Sequence, residues 1–575
     1  MTSQPSPHTW DFIVVGSGPA GSTLASKLAS TASTPAILLL EAGPQKDAKS
    51  LRVDGQRWTT FQRPDMNWGY KTTAQENCNG REIDYSRGKV LGGGSAINFG
   101  IYTVGARDDY DKWAELVGDE MFNWENMQGR FKELECFTGE IRDERYRHFA
   151  TPKVEDHGRA GKLKVGYPVE LDEDVPLVME AFQEAGLQAN LDHNSGDPIG
   201  ISLGINSAFQ GVRVTAGDLL VDKPRNLEIQ TEKTVTRVVF EDDRAVGVEV
   251  DGEIFLANKE VILCAGSLDT PRILMHSGIG PPAQLSAFNI PLLFPLPAIG
   301  QGLRDHPFAP LCLARAPNTN TRNAFYSNTT AMDTAMTQWQ QDGTGPWSKH
   351  ATQLVMGWLK SPGTLGSKEF ANLDEETREF LTRPTIPHYE IASHFPIHML
   401  VPGLITDYSY LCLAVFLMNG QSRGEVTLQS ADPTVPLLFN PNLLSHPYDR
   451  RVCVEGYKEL LAVTRHPSFA KDTVSTILGP ASESDEDILA FWRDTVGTAW
   501  HMTGTVKMGK AGGEEEKDAA VDSSFRVFGV KGLRVADMSV VPVLTNNHTQ
   551  ATAYVVGGTC ADVLIAEYGL DRISR

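Results

Sequence analysis

Six residues near the start of the chain carry the first chemical signal. Gly16-Ser17-Gly18-Pro19-Ala20-Gly21 follows an apolar run, Asp11 to Val15, and opens a segment rich in small helix formers, Ala20 to Ser30. Gly16 permits a tight turn, Gly18 lets the backbone come close to a pyrophosphate, and Gly21 lets helix and strand pack closely. The start of that helix offers unpaired N–H groups and the positive end of a dipole to phosphates. Glu41 ends a second apolar run, Ala36 to Leu40, where a carboxylate can accept from ribose hydroxyls. A glycine pattern alone is weak, because a bare turn also uses it. With strand, helix and acid in place, the segment reads as a dinucleotide site. An acid at this point favours unphosphorylated ribose, hence FAD or NAD over NADP.

Other segments decide between those two. Ser86-Arg87-Gly88-Lys89-Val90-Leu91-Gly92-Gly93-Gly94-Ser95-Ala96-Ile97-Asn98 is a glycine-rich turn preceded by basic residues, suited to close backbone approach to a flat ring or a phosphate. Ala265-Gly266-Ser267-Leu268-Asp269-Thr270-Pro271 leads on to Ser277-Gly278-Ile279-Gly280-Pro281. Gly300 to His306, Ser422 to Val426, Ser430 to Pro433, His501-Met502-Thr503-Gly504-Thr505, Gly532 to Asp537 and Asn547-His548-Thr549-Gln550 follow in order. Together these motifs resemble, end to end, the glucose–methanol–choline (GMC) oxidoreductases, flavoenzymes with an FAD domain and a sheet-based substrate domain. The final His-Thr-Gln looks most like the aryl-alcohol-oxidase side of that family.

The resemblance implies a site. His501, in the H-x-x-G-T segment, matches the histidine that lies over the flavin; His548 matches its partner before the last helix, with Asn547 the alternative if the register slips by one. Flavin contacts are implied at Gly16, Gly18, Pro19, Ala20, Gly21, Glu41 and Ala42, at Arg87, Val90, Gly92, Gly93, Ser95, Asn98, Phe99 and Gly100, and at Val235, Ala265 and Gly266. Trp500, Asp537, Met538, Thr549 and Gln550, with His548 itself, complete the set. Ile97 stands where some members carry the histidine that binds FAD covalently, so a dissociable FAD is expected. Met502 stands where the family commonly has proline. The implied reaction oxidises a primary alcohol, uncharged or aromatic, to the aldehyde by hydride transfer to flavin N5. One imidazole serves as base and the other holds the oxygen. The helix after Thr549 would aim its positive end at the N1/C2 edge of the ring. Oxygen or another acceptor would take the electrons. The alternative is an FAD-containing lyase or cyclase on the same fold, without net redox turnover.

Any one of the 14 histidines is more often structural than catalytic. His306, His388, His394 and His398 keep that reading, although the last three are also candidates for the substrate cavity. Aromatic residues of the middle of the chain (Trp339, Trp347, Trp358, Tyr389, Phe395, Phe416) read as core or cavity wall. Trp500 and Phe99, flanking flavin motifs, are the better cavity candidates.

The elements that must position these groups come in two textures. The chain opens as βαβ, the size of a dinucleotide-binding unit. The middle has strand-like runs such as Tyr410 to Met418 and Gly424 to Leu428, and Gly532 to Ala536 and Ala551 to Ala566 return to the first texture. The expected fold is an α/β FAD-binding Rossmann-like domain plus an α+β substrate-binding domain with an antiparallel sheet. FAD-binding parts at 9–150, 216–300 and 491–575 would alternate with substrate-domain parts at 151–215 and 301–490. A chain of 575 residues is too long for a single core.

The remaining features exclude partners. A net charge of −20, with 72 acidic and 52 basic residues, repels nucleic acid and anionic membrane surfaces. Seven scattered cysteines without CxxC or metal-type spacing fit free thiols and no bound metal. The polar start, Met1 to Trp10, lacks a signal-peptide pattern, no apolar run is long enough to span a bilayer, and the tail is not S-K-L. A cytoplasmic protein is therefore expected, its Asn328-Thr329-Thr330 and Asn547-His548-Thr549 triplets unglycosylated. The oligomeric state is left open, and Gly512 to Asp518 reads as an acidic solvent loop.

Overall fold

The computed structural model describes residues 9–571, apart from 140, 142, 169, 351 and 511–517. Most of the acidic loop expected at 512–518, and the two ends of the chain considered above, lie outside the described residues. Two sheets organise the rest.

The first sheet is built on the opening strand, Thr9–Val15, flanked in parallel by Ile37–Leu40 and by Glu253–Leu263. Leu227–Gln230 and Leu533–Val535 extend it in parallel, and Val235–Glu241 and Arg244–Val250 add an antiparallel edge. Phe12 to Val15 and Ile37 to Leu40 are buried on both faces, which is why they read as unbroken apolar runs without alternation. The register Val15↔Leu40 brings Gly16 and Glu41 to the same end of the sheet, and Gly16 N–H donates to Leu40 O at 2.8 Å. The helix Pro19–Ala29 starts there, with proline in its first turn where no N–H is needed.

The second sheet is antiparallel, in the order Thr473–Leu478, Pro307–Arg315, Ser409–Leu417, Tyr389–Ser393, Val355–Leu359, Gly200–Leu203. Its register aligns Trp358 with Glu390, Glu390 with Phe416, and Phe416 with Phe308. Side chains alternate between faces of a strand, so these four residues form one row across one face. The expected strands and helices are present, with ends shifted by one or two residues. Among the described residues, no helix is long and apolar enough to cross a membrane.

The last helix, Gln550–Tyr568, is buried over most of its length and packs on Pro19–Ala29. A Cβ at Gly557 would lie 2.0 Å from the carbonyl oxygen of Ala20, so glycine is what allows the two helices to approach.

Candidate active site

One cavity runs from the end of the first sheet to the row of residues on the second, and most of the expected site residues line it. At the first end Gly16 has φ +101°, and a Cβ there would meet the Cys264 carbonyl oxygen at 2.4 Å. Gly18 differs: a Cβ on it would meet no protein atom within 4 Å, although the residue borders the cavity. Packing inside the chain therefore does not explain Gly18. Its backbone lies open to the cavity, as close approach by a ligand requires. Glu41 stands beside it. Its carboxylate accepts from Ser17 N–H (3.0 Å), Ser17 Oγ (2.6 Å) and Gly43 N–H (2.8 Å). Burial raises the Glu41 carboxyl above its ordinary range, while the Ser17 and Gly43 bonds oppose that rise.

Three expected residues do not face the cavity. Gly21 is required by packing, since its Cβ would lie 1.9 Å from Gly16 O. Val90 is buried among Met66, Ala96 and Ile97. Gly92 donates its N–H to Ser17 Oγ at 3.2 Å and supports the loop from behind. The other cofactor positions, from Gly16 to Gln550, border the cavity.

Midway along, Arg87 Nη1 donates to Trp500 O (2.6 Å) and touches Met502 Sδ (3.0 Å). Methionine in place of proline thus gives Arg87 a neighbour and keeps the loop in place by side-chain contact. Asp537 accepts from Gly266 N–H (2.9 Å), Thr270 Oγ1 (2.6 Å) and Ser539 N–H (2.8 Å), tying the helix Gly266–His276 to the strand Leu533–Val535. Asn98 Nδ2 donates to Gln550 Oε1 at 3.2 Å, joining the glycine-rich turn to the last helix. Trp500 has φ +58°, an unusual conformation for a bulky residue. It is held by an indole bond to Asp84 Oδ1 (2.8 Å) and by the rings of Phe61 and Phe99.

At the far end His501 and His548 stand with ring centroids 4.9 Å apart and planes nearly perpendicular. His501 N–H donates to Asp305 Oδ1 (2.8 Å), which also takes His306 N–H (2.8 Å). His548 N–H donates to Thr103 Oγ1 (2.8 Å). Asn547 points away: its amide donates to Thr103 O and Thr552 Oγ1 and accepts from Thr545 Oγ1. The histidine, and not its neighbour, faces the cavity.

Behind the pair stand two residues that sequence reasoning did not assign. His306 Nδ1 lies 3.0 Å from His501 Nδ1, so this histidine is a partner of the site as well as a core side chain. Glu390 Oε1 lies 3.1 Å from His548 Nε2, with its other oxygen buried and unpaired. One signal was available: Glu390 is the sole charge in the wholly buried strand Tyr389–Ser393, and buried acids are rarely unpaired. Burial, then His548, His306 and Arg87, hold the His501 imidazole well below its usual range. Burial pushes His306 down to about 3 and Asp305 up to about 7.

Phe395 and Phe416 line the cavity beside the histidines. Trp339 and Trp347 belong to a separate cluster with Trp58, and Tyr389 turns to Glu459. His388 is held by Ser361 N–H and Leu381 O. His394 pairs with Asp174, and His398 sits edge-on to Trp58, both bordering a neighbouring cavity.

With this geometry in hand, the comparisons decide the family. Models of the GMC oxidoreductases match residues 10–308 and 420–557. The chain belongs to the GMC oxidoreductase family. It is 31% identical to the patulin synthase of Penicillium expansum, over 96% of this chain and 91% of the relative. It is 30% identical to the pyranose dehydrogenase of Agaricus xanthodermus, over 98% and 94%. A solved fungal aryl-alcohol oxidase superposes with a TM-score of 0.86 at 25% identity, covering 98% of this chain and 99% of that one. As a GMC oxidoreductase the protein is an FAD-dependent enzyme acting on CH–OH donors. Its α/β FAD-binding part and antiparallel-sheet part are those expected.

Proposed function

We propose that this GMC oxidoreductase oxidises a primary alcohol, aromatic ones included, to the aldehyde. The observation that carries the reading is the pair His501 and His548 closing the cavity that begins at Gly16 and Gly18. Bound FAD would supply the hydride acceptor. The opening at Gly18 and the N-terminus of Pro19–Ala29 suit its pyrophosphate, and Glu41 its ribose. The N-terminus of the helix Gln550–Tyr568 opens on the same cavity at Thr549 and Gln550. Ile97, packed against Met66, Val90 and Ala96, offers no nucleophile, which favours a non-covalent FAD.

The chain's own residues orient and deprotonate. Two imidazoles 4.9 Å apart can both touch one alcohol oxygen, one ring holding it while the other takes its proton. Phe395, Phe416 and Trp500 give the substrate end an apolar lining that excludes water. The names of the relatives support a CH–OH substrate. The division of the chain into alternating FAD-binding and substrate parts, ending with the histidines at 491–575, belongs to this reading.

The test is an anaerobic absorbance titration of the purified protein with a panel of primary alcohols, benzyl types included. Bleaching of the flavin bands is the expected result, and readmitted air then separates an oxidase from a dehydrogenase. A yellow protein that no alcohol bleaches would overturn the reading in favour of a lyase.

A further inference from the structure

Seven cysteines are scattered along the chain, but two of them meet. Cys312 lies within the strand Pro307–Arg315 and Cys412 within Ser409–Leu417. The two strands run antiparallel, and their register sets Cys312 directly opposite Cys412. Both side chains are buried, with their sulfurs 3.0 Å apart. The Cys312 thiol donates to Cys412 Sγ, and the Cys412 thiol donates to Leu413 O at 3.6 Å. Among the described residues, no other two cysteines are hydrogen-bonded to each other.

A single buried cysteine is an ordinary small apolar filler. Two directly opposed cysteines are a different case. Residues that face each other across an antiparallel pair have Cα atoms about 4.5 or 5.5 Å apart, according to the hydrogen-bonding class of the pair. A disulfide accepts about 4.4–6.8 Å. Either class therefore admits the bond without moving a strand.

Side chains alternate along a strand, so Cys412 shares a face with Tyr410 and Phe416, as Cys312 does with Phe308. Tyr410 borders the neighbouring cavity, while Phe308 and Phe416 border the main one. The pair thus lies between two cavities, about 7 Å along the strand from Tyr410 and about 13 Å from Phe416. Phe395, which borders both cavities, donates its N–H to Cys412 O at 3.2 Å. A small uncharged oxidant in the neighbouring cavity has a short path to the sulfurs, and a protein reductase has none.

We propose that Cys312 and Cys412 form a modification site, closed to a cross-strand disulfide by hydrogen peroxide. One thiol gives up its proton and attacks the peroxide; the O–O bond breaks, the sulfur becomes a sulfenic acid and one water leaves. The second sulfur, losing its own proton, displaces the hydroxyl as a second water, and the S–S bond forms. Two thiols lose two electrons and two protons, and the peroxide takes them up. Burial and the neighbouring Cys312 hold the Cys412 thiol well above its usual range, which makes the reaction slow. The finished bond is equally sheltered from thiol reductants. It joins residues 100 positions apart and clamps the register that sets Phe308 opposite Phe416 in the cavity wall.

The test is peptide mapping of the purified holoprotein, first reduced and freed of reductant, then held in hydrogen peroxide for hours. Free thiols are alkylated in denaturant and the protein is digested without reduction. The expected product is one cross-linked peptide pair, Cys312 with Cys412, lighter by two hydrogens than the two thiol peptides together. The count of free thiols should fall by two from seven. Dithiothreitol should reopen the bond only after unfolding. The oxidised protein should unfold about 2–8 °C higher than the reduced one, and Cys312→Ala should abolish both the link and that difference. Recovery of both cysteines as alkylated thiols after peroxide has oxidised the protein's methionines would overturn the site. So would a link to any other cysteine, or separate sulfinic acids at the two positions. Equal unfolding temperatures in the linked and reduced forms would overturn the clamp. The wild-type map decides the site by itself if Cys312→Ala fails to fold.

Discussion

The two ends of the cavity are made of different material. Around Gly16–Gly21 the wall is largely backbone: a glycine turn, a helix start and the end of a strand, all within one short stretch of chain. At the other end the wall is side chain, with Phe308 and Phe416 drawn from two strands far apart in sequence, His501 and His548 from two loops, and Glu390 behind them on a third strand. A backbone wall fails when a side chain is added, and it fails by losing its ligand or its packing. A side-chain wall fails when a side chain is removed, and it fails by losing rate. Each substitution below tests that distinction.

The largest effect belongs to the histidines. His501→Ala and His548→Ala should each slow flavin bleaching by about 100- to 10,000-fold while the protein stays yellow. A variant that keeps wild-type bleaching is removed from the mechanism. At the backbone end, Gly21→Ala forces a Cβ to within 1.9 Å of Gly16 O. A cost of about 1–3 kcal/mol and a lower unfolding temperature follow, whether or not flavin is present. Gly18→Ala sharpens the contrast, because its Cβ meets no protein atom. Unfolding of the flavin-free protein should be unchanged within about 0.5 kcal/mol, while the FAD dissociation constant, read by fluorescence, rises. Unaltered FAD affinity would show that this wall is not where the pyrophosphate rests.

The last effect is one of pH. Asp305 is raised to about 7 by burial, so its folded form binds a proton more readily than its unfolded form does. Its contribution to stability is present at low pH and falls as pH rises from about 4, the unfolded value, to about 7. Asp305→Asn keeps an oxygen for the His501 and His306 N–H groups and should flatten that decline. Parallel pH profiles of unfolding in the variant and the wild type would contradict it.

The same contrast explains what could be read from the sequence. The glycine turn, Glu41 and the opening βαβ are local, so spacing alone locates them, and they meet at one sheet end as their order implies. His501 and His548 were legible through the motifs around them. Val90 and Gly92 were legible as part of a loop, but which residues of that loop face inward depends on its turn, and these two face away. Glu390 and His306 were not legible as site residues. Their contacts depend on how antiparallel strands align, Glu390 opposite Phe416 and Pro307 opposite Thr498, and on a loop returning from far along the chain. The aromatic residues show the same limit. Phe395 and Phe416 line the cavity, whereas Trp339 and Trp347, similar in their sequence setting, fill a cluster elsewhere.

The last helix adds a consequence in time. Gln550–Tyr568 lies against Pro19–Ala29, the helix that opens the dinucleotide turn, and the strand Leu533–Val535 pairs with Glu253–Leu263 in the first sheet. The glycine turn leaves the ribosome long before the helix Gln550–Tyr568 that packs beside it. Until then the face of Pro19–Ala29 that receives Gly557 is open to solvent. The nascent chain must keep that face from other contacts until the helix Gln550–Tyr568 is made, and the dinucleotide unit is complete only when the two helices meet. The contact between Gln550–Tyr568 and Pro19–Ala29 is therefore one that folding must reach across almost the full described length of the chain, and it closes the dinucleotide unit late.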